Sequence, residues 1–497
     1  MPKYLLSFLF LCLFSFQLFG QKKPNIILFM IDDMGWQDTS YPFANEKSDF
    51  NKLYHTPNME RLAKMGVAFT DAYSTPVCTP TRVSLITGMN ASKHHVTNWT
   101  APMKDKPTGN QDNQMQEPVW NHNGMSPEPN IPHTIYATAL PQILKDHGYF
   151  TIHAGKAHWA SAGTPGSNPY SLGFIVNIAG TSTGRPASYW GEDNFGRTGS
   201  DYHAVENLQE YFGQNINLTE ALTKEALKTL EFPIKNQIPF FLNFCHYALH
   251  DPLMEDHRFI QKYIDKGMTS NEAKYASMIE GMDKSLGDVL DFLEKNKIED
   301  ETYLVFISDN GGLSNVPSRD GKPYTHNKPL RSGKGSIYEG GIRVPLIIKG
   351  NNKEEKNVRN SNPVIIEDMF PTILEMAGIK NPKTVQNIDG KSMLGGLKDW
   401  KTKSKDRALV FHIPNKWTTS DGDGYNYRSA IRKGKYKLIW SLRNDSFELY
   451  DLQNDLGEQH NIIQNPDMNL MAEELKVELK TILERNQAPM PKKKNIN

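Results

Sequence analysis

A cysteine, a proline and an arginine within five residues are the first feature of this chain that could do chemistry. In the segment 78–88 (CTPTRVSLITG), Thr79 can cap and Pro80 can open a helix, which sets Cys78 beside an N-terminus whose backbone N–H groups favour anions. Arg82 then follows about one turn later on the adjoining face. Asp32 and Asp33, and again Asp309 and Asn310, end apolar runs and offer only oxygen donors. Such donors suit a hard cation, Ca²⁺ or Mg²⁺, and make no zinc site. In 155–158 (GKAH), alternation along an extended segment turns Lys156 and His158 to one side. The run 331–345 (RSGKGSIYEGGIRVP) has glycines that permit close backbone approach and a point charge in Lys334. The phosphate-loop spacing of glycine, lysine and a hydroxyl residue is absent from it. Arg82, Lys156 and Lys334, plus a hard cation at those oxygens, would form a cationic pocket, which is what a dianionic transition state needs. His246 and His250 stand four apart after a strand without a helical HExxH frame, so zinc is disfavoured and His246 reads as a packed histidine.

These motifs resemble the type I, formylglycine-dependent sulfatases of the alkaline phosphatase superfamily, and among them the secreted bacterial polysaccharide sulfatases. The CxPxR signature runs from Cys78 to Arg82, with Thr81 where serine or alanine is commoner. The resemblance implies that a formylglycine-generating enzyme oxidises Cys78 to Cα-formylglycine (3-oxoalanine). One hydroxyl of the hydrated aldehyde then attacks sulfur, and the other helps expel sulfate. It further implies that Asp32, Asp33, Asp309 and Asn310 hold one Ca²⁺ together with residue 78, and that Asp309 is the base for the attacking hydroxyl. Lys156 is implied to bind sulfate and His158 to take the proton that lets the hydrate collapse. The family's GKWHLG is altered here at Ala157, Trp159 and Ala160. Residues 248–252 (ALHDP) match the PHxP region with Leu249 in place of proline, which makes His250 the implied general acid. Lys334, in the GKGxxYEGGxRxP block, is an implied sulfate ligand.

The stretches 431–439 (IRKGKYKLI) and 448–458 (ELYDLQNDLGE) resemble the C-terminal domain of secreted bacterial sulfatases acting on carbohydrates. A sulfated polysaccharide or its oligosaccharides is therefore the implied substrate. One alternative is a phosphodiesterase or phosphonate monoester hydrolase of the same superfamily. Another is a noncatalytic glycan-binding protein, against which the intact cysteine, lysines and histidines argue.

The elements that must position these groups read as α/β. Asn25–Ile31 (NIILFMI), 240–244 (FFLNF) and 303–307 (YLVFI) are uninterrupted apolar runs that each deliver polar residues at their ends, as buried parallel strands do. Helical stretches at 222–230 and 273–293 lie between them. The expected fold is a large mixed sheet flanked by helices, alkaline-phosphatase-like by resemblance, with ligands outside the carboxyl ends of the strands. Residues 22–400 form the expected catalytic domain. Short alternating strands at 436–440 and 447–450 and a helix at 469–485 make 401–497 a smaller α+β domain. The aperiodic segment 101–132, rich in Pro, Asn and Gly, is a functional or disordered loop.

The chain is 497 residues long, and its 56 Lys plus Arg equal its 56 Asp plus Glu, so nothing favours a nucleic-acid partner or a broad membrane-binding face. Residues 1–20 read as a secretory signal peptide, because the apolar stretch is shorter than the roughly 20 residues that span a bilayer. Export to the periplasm or beyond, without stable membrane insertion, is the expectation. Of three cysteines Cys12 lies in that segment, leaving Cys78 and Cys245 and no disulfide framework.

Overall fold

The computed structural model describes residues 22–197, 202–314, 326–351, 356–398, 407–419 and 421–495. The signal-peptide segment 1–20 and the expected boundary near 400 lie outside them. Eight strands, β1 (Asn25–Ile31), β2 (Val67–Tyr73), β3 (Phe150–Gly155), β4 (Val176–Ile178), β5 (Phe240–Cys245), β6 (Thr302–Ser308), β7 (Arg343–Lys349) and β8 (Val358–Asn360), lie in the order β8-β2-β7-β6-β1-β5-β3-β4. The short strand Val364–Ile365 also pairs with β2. β1 runs parallel to β5 and β6, and β3 parallel to β5 and β4. β7 is antiparallel to both its neighbours, which makes the sheet mixed.

Every residue of β1, β5, β6 and β7 is buried, and successive side chains serve opposite faces. Ile26, Leu28 and Met30 enter one core, whereas Ile27, Phe29 and Ile31 enter the other. Each such side chain contributes about 1.5–3 kcal/mol through burial. Helices α1 (Pro57–Met65), α3 (Leu218–Lys235) and α4 (Ser270–Lys295) cover one face; α2 (Cys78–Thr87) and α5 (Met369–Met376) cover the other. The helices expected at 222–230 and 273–293 are each longer than their apolar pattern suggested.

Beyond residue 407 an antiparallel meander, β9 (Leu409–Ile413), β10 (Arg428–Lys433), β11 (Tyr436–Ser441) and β12 (Ser446–Asp451), packs one face on α6 (Asn469–Arg485) through Ile431, Leu438, Leu475 and Leu479. Its other face, with Phe411, Ala430, Ile439 and Tyr450, joins a core of the large sheet. The segment 101–132 is described throughout, and its Met115–Gln116 pairs with Lys492–Lys493 near the C-terminus. Among the described residues no helix is long and apolar enough to cross a membrane.

Candidate active site

Parallel strands deliver their C-terminal ends to one edge of the sheet, and the chemistry-bearing side chains collect there. Asp32 and Asp33 follow β1, Lys156 and His158 follow β3, His250 lies beyond β5, and Asp309 and Asn310 follow β6. At the end of β3, Gly155 has φ +91°, and a Cβ there would stand 1.9 Å from the Cys245 carbonyl oxygen, so only glycine fits. The turn at Gly155 sends Lys156 inward. Asp33 and His158 have φ of 60° and 51°, a region uncommon for side-chain-bearing residues. Lys156 and His158 thus face the site through a left-handed turn at His158, where the sequence pattern suggested simple alternation.

Helix α2 starts at Cys78 itself; Val77 occupies the N-cap and no side chain caps the end. Thr79, expected as the cap, lies inside the first turn, where its Oγ1 accepts from the Thr100 N–H at 3.1 Å and contacts His158. Cys78 Sγ is 3.5 Å from His158 Nδ1, and His158 Nε2 lies 3.0 Å from the Thr100 carbonyl. Arg82 donates from Nε and Nη2 to Asp309 Oδ2 at 3.0 and 2.8 Å and from Nη1 to the Lys156 carbonyl at 2.8 Å. Lys156 Nζ donates to Asp32 Oδ2, and Lys334 Nζ donates to Asp33 Oδ2 at 2.8 Å. Each of the three cations expected to line the pocket therefore pairs with a carboxylate, because a buried charge is too costly to leave alone.

The acidic cluster is knit together and yet incomplete. Asn310 Nδ2 donates to Asp33 Oδ1 at 2.8 Å, and the Asp33 N–H donates to Asp309 Oδ1 at 3.2 Å. Asp32 Oδ1 and Asn310 Oδ1 are buried without a hydrogen-bond partner. Two orphaned oxygens facing one cluster are what a hard cation satisfies. Asp32, Asp33 and His250 each bring a ligand atom within 4.8 Å of the others. Cys78, whose converted form is expected among the metal ligands, lies beside His158.

Burial and the neighbouring Asp309 carboxylate push Asp32 well above the usual carboxylate range, partly offset by Lys156. Burial acts the same way on Asp33, but the Lys334 ammonium and His250 outweigh it and hold Asp33 low. Burial and the Lys156 charge hold His158 well below the ordinary histidine value. His250 is held above it: burial and Lys334 oppose protonation, and the carboxylates of Asp33 and Asp32 prevail. His250 Nδ1 engages Asp251 Oδ1 at 3.0 Å, and Arg185 Nη1 pairs with Asp251 Oδ2 at 2.6 Å. Asp251 and Arg185 were not singled out in the sequence; adjacency to His250 was the only signal for the first, and none marked the second. His246 lies between Phe29 and Phe244 rings, with Nε2 3.0 Å from Ser285 Oγ, and burial lowers it to about 3, as befits a packed histidine. Cys245, also buried, is pushed up to about 11 and is an inert thiol.

A cavity of about 320 Å³ opens above Cys78, His158, His250 and Lys334. Its walls include Trp99 and Pro102 from the segment after α2 and Trp417 from the C-terminal meander.

Residues 24–379 match the family described as Sulfatase, and residues 333–485 match the family described as N-sulphoglucosamine sulphohydrolase, C-terminal. A sulfatase of Formosa agariphila is 30% identical over 528 residues, covering 95% of this chain and 90% of that protein. The N-acetylgalactosamine-6-sulfatase of Mus musculus is 28% identical over 436 residues, covering 85% of this chain and 73% of that protein. The crystal structure of Ps i-CgsB superposes with a TM-score of 0.72 at 25% identity, over 93% of each chain. A further crystal structure of Ps i-CgsB holds k-i-k-neocarrahexaose.

Proposed function

The chain belongs to the sulfatase family and is a sulfuric ester hydrolase, and from that premise we propose a calcium-dependent carbohydrate sulfatase whose nucleophile is residue 78 as formylglycine. The observation that carries this reading is the cluster around Cys78. Three carboxylates are matched by three cations, beside two unsatisfied oxygens. Asp32, Asp33, Asp309 and Asn310, with residue 78, would hold a divalent ion, whose charge would polarise a sulfate oxygen. Oxidised and hydrated, residue 78 would supply one hydroxyl for attack and a second for release of sulfate.

The remaining roles belong to the chain's own side chains. Lys156 and Lys334 lie at the carboxylates on either side of the cluster and hold the ester's sulfate oxygens. Arg82 fixes Asp309 through two N–H bonds to one oxygen, and Asp309 takes the proton of the attacking hydroxyl. His158, neutral and beside residue 78, accepts the second proton. His250, protonated and turned by Asp251, donates to the leaving oxygen. Two histidines with opposite electrostatic settings in one pocket suit an acid and a base.

A carbohydrate substrate is supported by the relatives named for N-acetylgalactosamine 6-sulfate. On this reading residues 1–20 are a signal peptide, 22–400 the catalytic domain and 401–497 the C-terminal domain, and the enzyme acts in the periplasm or outside the cell. A formylglycine-generating enzyme is its partner in maturation. Desulfation of a panel of algal and animal glycans by enzyme matured in a host with that partner tests the proposal. Release of sulfate from one or more is expected; hydrolysis of aryl phosphates or phosphonates with no sulfated glycan cleaved would overturn it.

A further inference from the structure

The reacting groups take the floor of the cavity, so its walls face the alcohol part of the ester. Two indole rings stand among those walls. Trp99 is 37% exposed and Trp417 partly so, and both line the cavity. Trp417 is built in: a Cβ at Gly335 would stand 2.0 Å from its ring, so the ring lies directly on the glycine that follows Lys334. The Trp417 backbone N–H donates to Asn426 Oδ1 at 2.8 Å, its carbonyl accepts from Asn110 Nδ2 at 2.8 Å, and Tyr425 stacks on its ring at 5.8 Å. The Asn110 N–H donates to the Lys416 carbonyl at 2.7 Å, and the Lys416 N–H to Glu117 Oε1 at 2.6 Å. The segment carrying Trp99 and the one carrying Trp417 are thereby braced against each other. Trp99 also directly precedes Thr100, whose carbonyl meets His158.

A ring so fixed costs little to order when a ligand arrives. A pyranose has one apolar C–H face and a polar edge, and a cavity lined by both tryptophan rings and the Arg185–Asp251 pair can meet both. We infer that Trp417, with Trp99, is the platform on which the sulfate-bearing sugar ring stacks, so that the C-terminal meander sets specificity at the active site. This rests on the carbohydrate reading above.

The experiment compares matured wild type, Trp417→Ala and Trp417→Phe on N-acetylgalactosamine 6-sulfate and on sulfated neocarrahexaose, with inhibition by inorganic sulfate measured alongside. Trp417→Ala is expected to raise KM for the sugar ester roughly tenfold and to leave sulfate inhibition within about twofold, and Trp417→Phe to recover most of the loss. An unchanged KM in Trp417→Ala, or an equal weakening of sulfate inhibition, would overturn the inference and leave the carbohydrate reading standing. If the wild type hydrolysed an aryl sulfate and neither sugar, both would fall together.

Discussion

On the proposed mechanism, His158 and His250 are the base and the acid of one pocket, and their opposite electrostatic settings fit those roles. A sugar alcohol leaves poorly as an alkoxide, and general acid catalysis is worth about 10²–10⁴-fold. His250→Ala should therefore depress kcat/KM on sulfated sugars far more than on an aryl sulfate with an acidic phenol. His158→Ala should slow sulfate release from both esters alike. Equal loss on the two leaving groups in His250→Ala would require the roles to be exchanged. The orphaned Asp32 Oδ1 and Asn310 Oδ1 lead to a second expectation. Chelation abolishes turnover and Ca²⁺ restores it, as followed by rate and by metal analysis; activity that returns with Zn²⁺ alone would refute the oxygen-donor assignment. Most of these residues were legible because a motif marks each one. The left-handed backbone at Asp33 and His158 was not legible, since the surrounding fold imposes it and no local pattern marks it.

Elements were legible wherever a continuous apolar run or a full helical period lay in the chain. β1 and α6 have the bounds their patterns suggest, whereas the start of α2 at Cys78 depends on contacts that no local pattern records. Trp417 lies in an aperiodic stretch of the meander, so nothing in the sequence placed it beside Lys334. The turn Ile366–Asp368, which leads into α5, carries a pH dependence that can be measured. Burial, reinforced by the adjacent Asp368 carboxylate, raises Glu367 to about 8, and its Oε1 accepts from Asn90 Nδ2 at 2.8 Å. A carboxyl whose folded value is raised stabilises fully below its unfolded value, near 4.5, and loses that contribution as pH rises towards 8. Glu367→Gln should thus melt higher than wild type at pH 8, by up to a few kcal/mol in order of magnitude, and similarly to it at pH 5. A constant offset across that window would show that ionisation of Glu367 is not the cause.

On the scale of the whole molecule, the C-terminal meander is held to the large sheet by a buried ionic knot as well as by apolar packing. Lys437 of β11 pairs with Glu339 at 3.0 Å and with Glu458 at 2.9 Å, all without solvent exposure of their side chains. Glu339 also binds Arg343 at 3.0 Å. Lys437→Met leaves two buried carboxylates short of a partner and should cost about 3–5 kcal/mol in denaturant unfolding. A loss near zero would mean that the knot does not couple the two sheets. The braces at Asn110, Lys416 and Trp417 make the same union part of the active-site wall. On the proposed mechanism, what the assembled molecule does depends above all on residue 78. The most direct measurement is mass spectrometry of the peptide that carries it, from enzyme matured in a host with a formylglycine-generating enzyme, alongside its sulfatase rate. The account predicts a peptide lighter than the thiol form, in proportion to activity, and loss of turnover in a folded Cys78→Ala; full activity from protein whose Cys78 is wholly a thiol would contradict it.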